Sequence, residues 1–338
     1  MLTDTIQPAE ILAAAPDFLA VQMGFAPHCP HPLAQSLTLR EIAYALGQKA
    51  RAKQAFEGDA PVVARGLASS DFSQLLADSV RRVSIAAYDA GSSEYLKFCA
   101  VTEVRDFRAE QVAAIDSDLA LKMLNELAEI ERGQPFTATS GNVVQLSTFA
   151  RICTLSRTLI LNDAFATIRG IFSSVGAHVA QLEAAMLAQA LSGNPELDDG
   201  QPVFSPANSL EVGLDALTLG EAMAMLRNQK NAAGNPLNLR ARHIVCAPEI
   251  EYSAKQLVVD AGLDIEVTAL AGLPPSRWFL LPGKDTRPVL TVVRLAGSKT
   301  PLRVEQKALF KTDGVSIRVR ADLGVNFLRR TGIVRGGI

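Results

Sequence analysis

The stretch NDAFATIRGIFSSVGAHVAQLEAAMLAQALSGNP, residues 162–195, decides the fold. Asn162 or Asp163 can cap a helix, and Ser192-Gly193-Asn194-Pro195 stops one. Between them Phe165, Ile168, Phe172, Val175, Val179, Leu182 and Met186 recur at alternating spacings of three and four. That period draws one narrow apolar stripe along a helix from 163 to 191, roughly 44 Å long at ~1.5 Å per residue. Gly170 and Gly176 fall inside it, and the unbroken stripe predicts that the helix runs through both. A helix so far beyond the ~11-residue average needs a long surface to lie on.

Downstream the texture is α/β. Thr218 with Glu221 forms a capping-box pattern for a helix ending near Ala233-Gly234-Asn235-Pro236. HIVCA (243–247) reads as a strand, followed by Pro248 at a helix start and a helix to Gly262. WFLL (278–281) and VLTVVRL (289–295) read as further strands, with Trp278 and Phe279 as core residues. In the tail Val315, Ile317 and Val319 alternate with Ser316, Arg318 and Arg320, after a turn signal at Asp313-Gly314.

Upstream, residues 1–60 are Ala-rich and helical in texture. A proline-broken linker, FAPHCPHP (25–32), precedes a capping box at Thr38 and Glu41 that opens a helix through Ala55. Ser70 caps a second helix to Gly91, with Phe72, Leu75, Leu76, Val80, Val83 and Ala87 on one face. KFCAVTEVRDF (97–107) and NVVQLSTFARICTLS (142–156) are strand-like. AEQVAAIDSDLALKMLNELAEIERG (109–133) lies between them as a charged helical insert. Two extended segments around an excursion describe a long arm.

Composition excludes several classes. A formal net charge of -2 over 338 residues lacks the basic excess of a dedicated nucleic-acid binder. No apolar run approaches the ~20 residues of a membrane span, and the start MLTDTIQPAE has no signal-peptide pattern. Cys29, Cys99, Cys153 and Cys246 form no CxxC pair and read as scattered free thiols. Of the four histidines, His178 falls in the long helix and His243 at a strand start. His28-Cys29-Pro30-His31 lacks the second ligand pair that a closed metal site needs, so it reads as an exposed loop. Gly332, Gly336 and Gly337 follow no phosphate-cradle spacing, and Arg81-Arg82 and Arg329-Arg330 read as solvated or ion-paired. These residues nominate no catalytic, cofactor-binding or metal site.

A resemblance adds what the pattern alone does not. TLSRTLILNDAFATIRGIFSSVGAHVAQLEAAMLAQAL (154–191) resembles Mu-like prophage major head subunits, and the C-terminal side of fused prohead-protease and capsid polypeptides. The shared features are Ser156-Arg157, an apolar run, Asn162-Asp163 and the long helix. The likeness continues through 199–208, 217–257 and 301–325, and SSDFSQLLADSVRRVSIAAYDAG (69–91) matches upstream, so it covers roughly 65–338. The chain departs from that family in reading Ser205-Pro206-Ala207-Asn208 for a His-rich turn. It also reads Asn326-Phe327-Leu328-Arg329-Arg330 for an Asp-x-Arg-Gly ending.

The resemblance implies an α+β fold of the Hong Kong 97 type. It implies an N-terminal arm over 1–95, an extended E-loop over 96–157 and a P-domain over 158–205 and 296–325 with the spine helix at 163–191. An A-domain would comprise 206–295 and 326–338. The implied function is that of a tailed-phage major head protein, forming pentamers and hexamers of an icosahedral shell around double-stranded DNA held without sequence preference. Portal, scaffold, protease or decoration proteins would be its partners, and the host cytoplasm its place of assembly. It implies no enzyme, cofactor or membrane. Two alternatives share parts of this reading: an encapsulin-type compartment shell, and a prohead protease fused to a capsid domain. The fusion needs a nucleophilic Ser and a His in an N-terminal domain longer than residues 1–64, where only His28 and His31 occur. Lys97 and Lys122, the lysines of the implied E-loop, read as solvated.

Overall fold

The structure, a computed structural model, describes residues 7–24, 31–49, 70–111, 114–115, 138–139, 143–156, 158–159, 162, 165–231, 234–297, 300–308 and 314–337. The chain makes two compact units, each assembled from separate stretches. One comprises Met1–Gly91, Thr148–Ala180 and Thr300–Ala321; the other comprises Ser92–Ser147, Gln181–Lys299 and Asp322–Ile338.

The first unit is built on helices α1 (Pro8–Gln22), α2 (Leu39–Lys49) and α3 (Ser70–Ser92) with the first half of α4 (Phe165–Gly193). The expected box opens α2: Glu41 accepts from the Thr38 backbone N–H at 2.9 Å, and its own N–H donates to Thr38 Oγ1 at 3.2 Å. The rest of the helix expected through Ala55, and the linker residues Phe25–Pro30, lie outside the described residues. Phe18 of α1 meets Phe165 of α4 edge-on at 5.2 Å. Where α3 approaches α4, Ser84 Oγ donates to the Phe172 carbonyl at 3.1 Å. A Cβ on Gly176 would overlap the Ser84 carbonyl, so this glycine permits close approach of two backbones. The helix therefore continues through Gly170 and Gly176, as its stripe predicts.

The buried face of α4 is not quite the stripe read from sequence. Phe165, Ile168, Phe172 and Val179 are buried, but Val175, Leu182 and Met186 are only half-buried. Glu183, Leu187, Ala188 and Leu191 take the buried positions further along. The apolar-run expectation also needs correction. Helix α4 is long and apolar enough to cross a membrane by length and composition alone, because Ala, Gly and Ser replace charges. A buried, ion-paired Glu183 within it is the mark of a protein-covered helix.

The second unit contains a five-stranded sheet in the order β7-β14-β10-β8-β9. Its strands are β7 (Ser209–Leu210), β8 (Ala241–Cys246), β9 (Glu266–Ala269), β10 (Trp278–Pro282) and β14 (Val334–Gly336). Alternate residues of β10 face two cores. Trp278 and Leu280 pack with Leu219, Ala222, Ala254 and Val258 from α5 (Ala216–Asn228) and α6 (Glu251–Asp260). Phe279 and Leu281 pack with Leu187 and Leu191 of α4, Phe204 and Phe327. Both faces being covered explains the continuous apolar run WFLL. The Trp278 indole lies on Gly336, directly opposite it in the antiparallel register, where any Cβ would overlap the ring.

Two boundaries differ from expectation. Asp215, not Thr218, caps α5: its carboxylate accepts from the Thr218 N–H at 2.8 Å while Thr218 Oγ1 accepts from the Asp215 N–H at 2.9 Å. Thr218 thus stands three residues inside. The helix stops at Asn228 because the chain turns back, Leu237 N–H donating to the Gln229 carbonyl at 2.7 Å.

A second sheet runs β1-β11-β13-β12, with β6 also on β13. Strand β1 (Ala100–Val104) lies parallel to β11 (Leu290–Leu295), so this part of the expected arm is bound into a sheet. Beyond β1, Glu110–Gln111 (β2) pairs with Val143–Val144 (β5), and Ala114–Ile115 (β3) with Ala138–Thr139 (β4). The helical insert expected from 109 is therefore corrected at its start, where antiparallel ladders form; residues 116–137 lie outside the described residues. Strand β6 covers Ser147–Ser156, and β12 (Leu302–Ala308) forms an antiparallel pair with β13 (Gly314–Phe327).

Candidate assembly surface

The polar residues singled out in the sequence do not converge. His178 is exposed on α4, and Arg81 and Arg82 are exposed on α3. His28 and Cys29 lie outside the described residues. Burial pulls the His243 imidazole below its usual pKa against the opposing pull of Glu266, which favours the neutral ring. Arg330 is committed to Asp199, donating through Nη2 at 2.5 and 2.7 Å. Cys99 and Cys246 are buried free thiols whose pKa burial raises, to about 11 for Cys246. Among the described residues, no group of three or more His, Cys, Asp or Glu could hold a metal ion.

One polar cluster escaped the sequence reading. Glu183 is fully buried and ion-paired to Arg294, whose Nη2 donates to Glu183 Oε2 at 2.9 Å. Tyr95 Oη donates to the same oxygen at 2.6 Å. The carboxylate is held between a guanidinium and a phenol inside the core, an arrangement that fixes α4 to β11 and the Tyr95 turn. The only sequence signal is an acid breaking an apolar face.

A cleft of about 380 Å³ is lined by Ser205, Asn208, Asn228, Gln229, Lys230 and Arg330 among others. Much of its polar lining faces its own walls. Asn208 Oδ1 accepts from the Ser205 N–H at 2.8 Å and its Nδ2 donates to the Val203 carbonyl at 3.0 Å. Gln229 bridges Gly332 N–H at 2.5 Å and the Ile333 carbonyl at 3.0 Å.

Exposed apolar and charged residues gather on the β6 and β12 strands and the first half of β13. The β13 register sets Arg303 opposite Arg320 and Glu305 opposite Arg318. Residues two apart share a face, so the four project together. Arg318 grips Glu305 through Nε at 2.9 Å and also through Nη2, while Arg320 Nη2 reaches the other oxygen at 3.2 Å. Hydrogen bonding to Arg318 first, and the charges of Arg318, Arg320 and Arg303, hold the Glu305 carboxyl below its ordinary pKa. Thr154 and Ser316 share a hydrogen bond of 3.1 Å, which brings the Ala150, Ile152 and Thr154 face of β6 alongside. Ile152 is 65% exposed and Phe149 37% exposed. From Thr148 to Ile152 every residue of β6 is exposed, on both faces of the strand. The strand is thus open on both faces over its first six residues.

The phage capsid protein family model matches residues 140–336, well over half of the chain. The chain belongs to the phage capsid protein family. Its fold is shared by many solved structures, among them the following three. Against a virus-like particle from Pyrococcus furiosus the TM-score is 0.51 at 15% identity, covering 76% of this chain and 97% of that one. Against a phage-related protein from Bordetella bronchiseptica it is 0.50 at 9% identity, covering 76% and 95%. Against the capsid of a native GTA particle it is 0.50 at 12% identity, covering 73% and 89%. No curated protein sequence matches. The capsid subunit has the α+β Hong Kong 97-type fold, works as a major shell protein that assembles into oligomers, and belongs in the virion capsid.

Proposed function

We propose that the subunit builds the icosahedral head of a tailed phage as pentamers and hexamers, enclosing double-stranded DNA held by no sequence-specific contact. In this reading residues 1–95 are the N-terminal arm and 96–157 the E-loop. The P-domain is 158–205 with 296–325, and the A-domain is 206–295 with 326–338. Portal, scaffold, protease and decoration proteins are its expected partners, and assembly proceeds in the host cytoplasm. The subunit carries no catalytic residue and needs no cofactor.

The observation that supports this reading is β6, exposed on both faces from Ser147 to Ile152 and carrying the apolar Phe149 and Ile152, which contact with another copy would cover. Repeated heterologous contacts of that kind close into shells when their rotation closes. Electron microscopy of the purified protein, with and without scaffold, tests it: hexamers, pentamers or hollow particles are expected. Monodisperse monomers or dimers under every condition would sink the reading. Deleting residues 105–140 should leave a soluble subunit that makes no shells. Replacing His28, His31, His178 and His243 singly by Gln should leave any hydrolase activity of the preparation unchanged.

A further inference from the structure

We infer that His243 is the trigger of an acid-released clasp: its protonation loosens the Tyr95–Lys97 turn from the β8–β9 edge of the sheet to which that turn is fastened.

The turn is held by packing and by two polar contacts. Tyr95, Phe98 and Cys99 enter the core that Val245, Phe279 and Leu281 line. At the rim of that core Lys97 Nζ donates to Glu266 Oε1 at 2.5 Å, and Lys284 Nζ donates to the Leu96 carbonyl at 2.7 Å. The register sets His243 beside Glu266 of β9 and opposite Leu281 of β10. Residues two apart share a face, so His243 lies on the Val245 side, where the turn packs. Its side chain is only 12% exposed, and its Nδ1 is buried without a hydrogen bond to the described chain. That nitrogen stands 3.8 Å from Glu266 Oε2, the carboxylate oxygen that Lys97 does not hold.

Charges reach the ring from every element around it. Glu266 on β9 favours an imidazolium, while Lys284 after β10, Lys97 on the turn and Arg242 on β8 oppose one, as burial does more strongly. Arg242 is itself paired to Asp264, and Glu94 lies close enough to Lys97 to favour its charge. The closed clasp therefore holds a neutral ring. One solvent proton on His243 puts a buried cation beside Lys97 and Lys284. Lifting the turn relieves this: water reaches the ring, Lys97 withdraws, and Glu266 passes from the ammonium to the imidazolium. Tyr95 keeps its bond to Glu183, so the release stays local. Because the folded ring titrates below its ordinary value of 6.5, its contribution is complete above that pH and is lost as pH falls through the folded value. On the proposed reading of 96–157 as an arm this turn is its root, but the clasp lies within one copy and stands without that reading.

Hydrogen exchange at residues 95–99 of the full chain tests it, at about pH 7.5 and about pH 5.5, the latter still above the range of ordinary carboxylates. After correction for the intrinsic rate, protection of the turn should fall by about three- to tenfold in acid. The amides of β10 and of α5 should hold theirs. In His243→Gln the turn should keep its protection at both pH values. Lys97→Met, an exposed change that leaves the fold intact if His243→Gln does not, should loosen the turn at neutral pH and leave less than half of the acid response. Unchanged protection in the wild type, a full acid response in either variant, or a loss spread equally over β10 would overturn the inference. Exchange is read whether or not the chain forms shells, so failure of assembly would count against the proposed function alone.

Discussion

The strands Trp278–Pro282 and Ser147–Ser156 both carry aromatic and large aliphatic residues, yet they live in opposite surroundings. All five residues of β10 are buried, Trp278, Phe279 and Leu280 completely, because helices and loops of its own unit cover both faces. In β6 only Leu155 is buried, and Ile152 and Phe149 stand open. The same residue types thus serve two ends. In β10 they hold one copy together, and in β6, on the proposed reading, they meet another. Apolar content alone does not separate the two roles; what separates them is whether a second layer from the same unit is available.

Breaking the β10 side should cost the subunit most. Trp278→Ala removes the side chain that fills the space over Gly336 and should destabilise the unassembled subunit by about 3–5 kcal/mol in denaturant titration. Glu183→Ala comes next, at roughly 3 kcal/mol, since it leaves the Arg294 guanidinium buried without its carboxylate. Part of that loss should return in a Glu183→Leu, Arg294→Met double variant, which buries no charge. A smaller effect is expected at the helix over the sheet. The Thr218 N–H and hydroxyl depress the Asp215 carboxyl pKa, so its contribution is present above the unfolded-chain value and is lost as pH falls through the folded one. Asp215→Asn should therefore destabilise at neutral pH and converge with the wild type in acid, as followed by thermal melts across pH. The β6 side should show the smallest change of all in the isolated subunit. Ile152→Ser should shift its stability by no more than about 0.5 kcal/mol, while lowering the yield of shells. A large stability loss from Ile152→Ser would mean that β6 belongs to the core after all.

The elements with a strong period were legible before any coordinates. The helix through Gly170 and Gly176, the helix from Ser70, and the strands at 241–246, 278–282 and 290–295 lie where their patterns put them. Their fate is set by local repetition, which sequence displays. What escaped depends on partners distant along the chain. Glu183 looks like a break in an apolar stripe until Arg294 and Tyr95 arrive from 111 and 88 residues away. The start of 109–133 has helical composition but becomes strand because Val143–Val144 and Ala138–Thr139 pair with it. The α5 cap was misread by three residues because two overlapping boxes compete, and Asp215 reaches the Thr218 N–H first. The arginine face was visible only as an alternation; that Arg303 joins Arg318 and Arg320 around one carboxylate needs the register.

The position of β14 bears on how copies are made. Val334–Gly336 is the last described strand to leave the ribosome, yet it sits inside its sheet, between β7 and β10. Until residue 336 has been synthesised, the Trp278–Leu280 backbone lacks one row of partners and the indole lacks its contact with Gly336. A chain stalled a few residues short of Val334 therefore carries an open sheet edge beside a partly covered tryptophan, the kind of surface that chaperones and proteases recognise. Synthesis itself thus sorts finished copies from unfinished ones before either can be drawn into a growing shell.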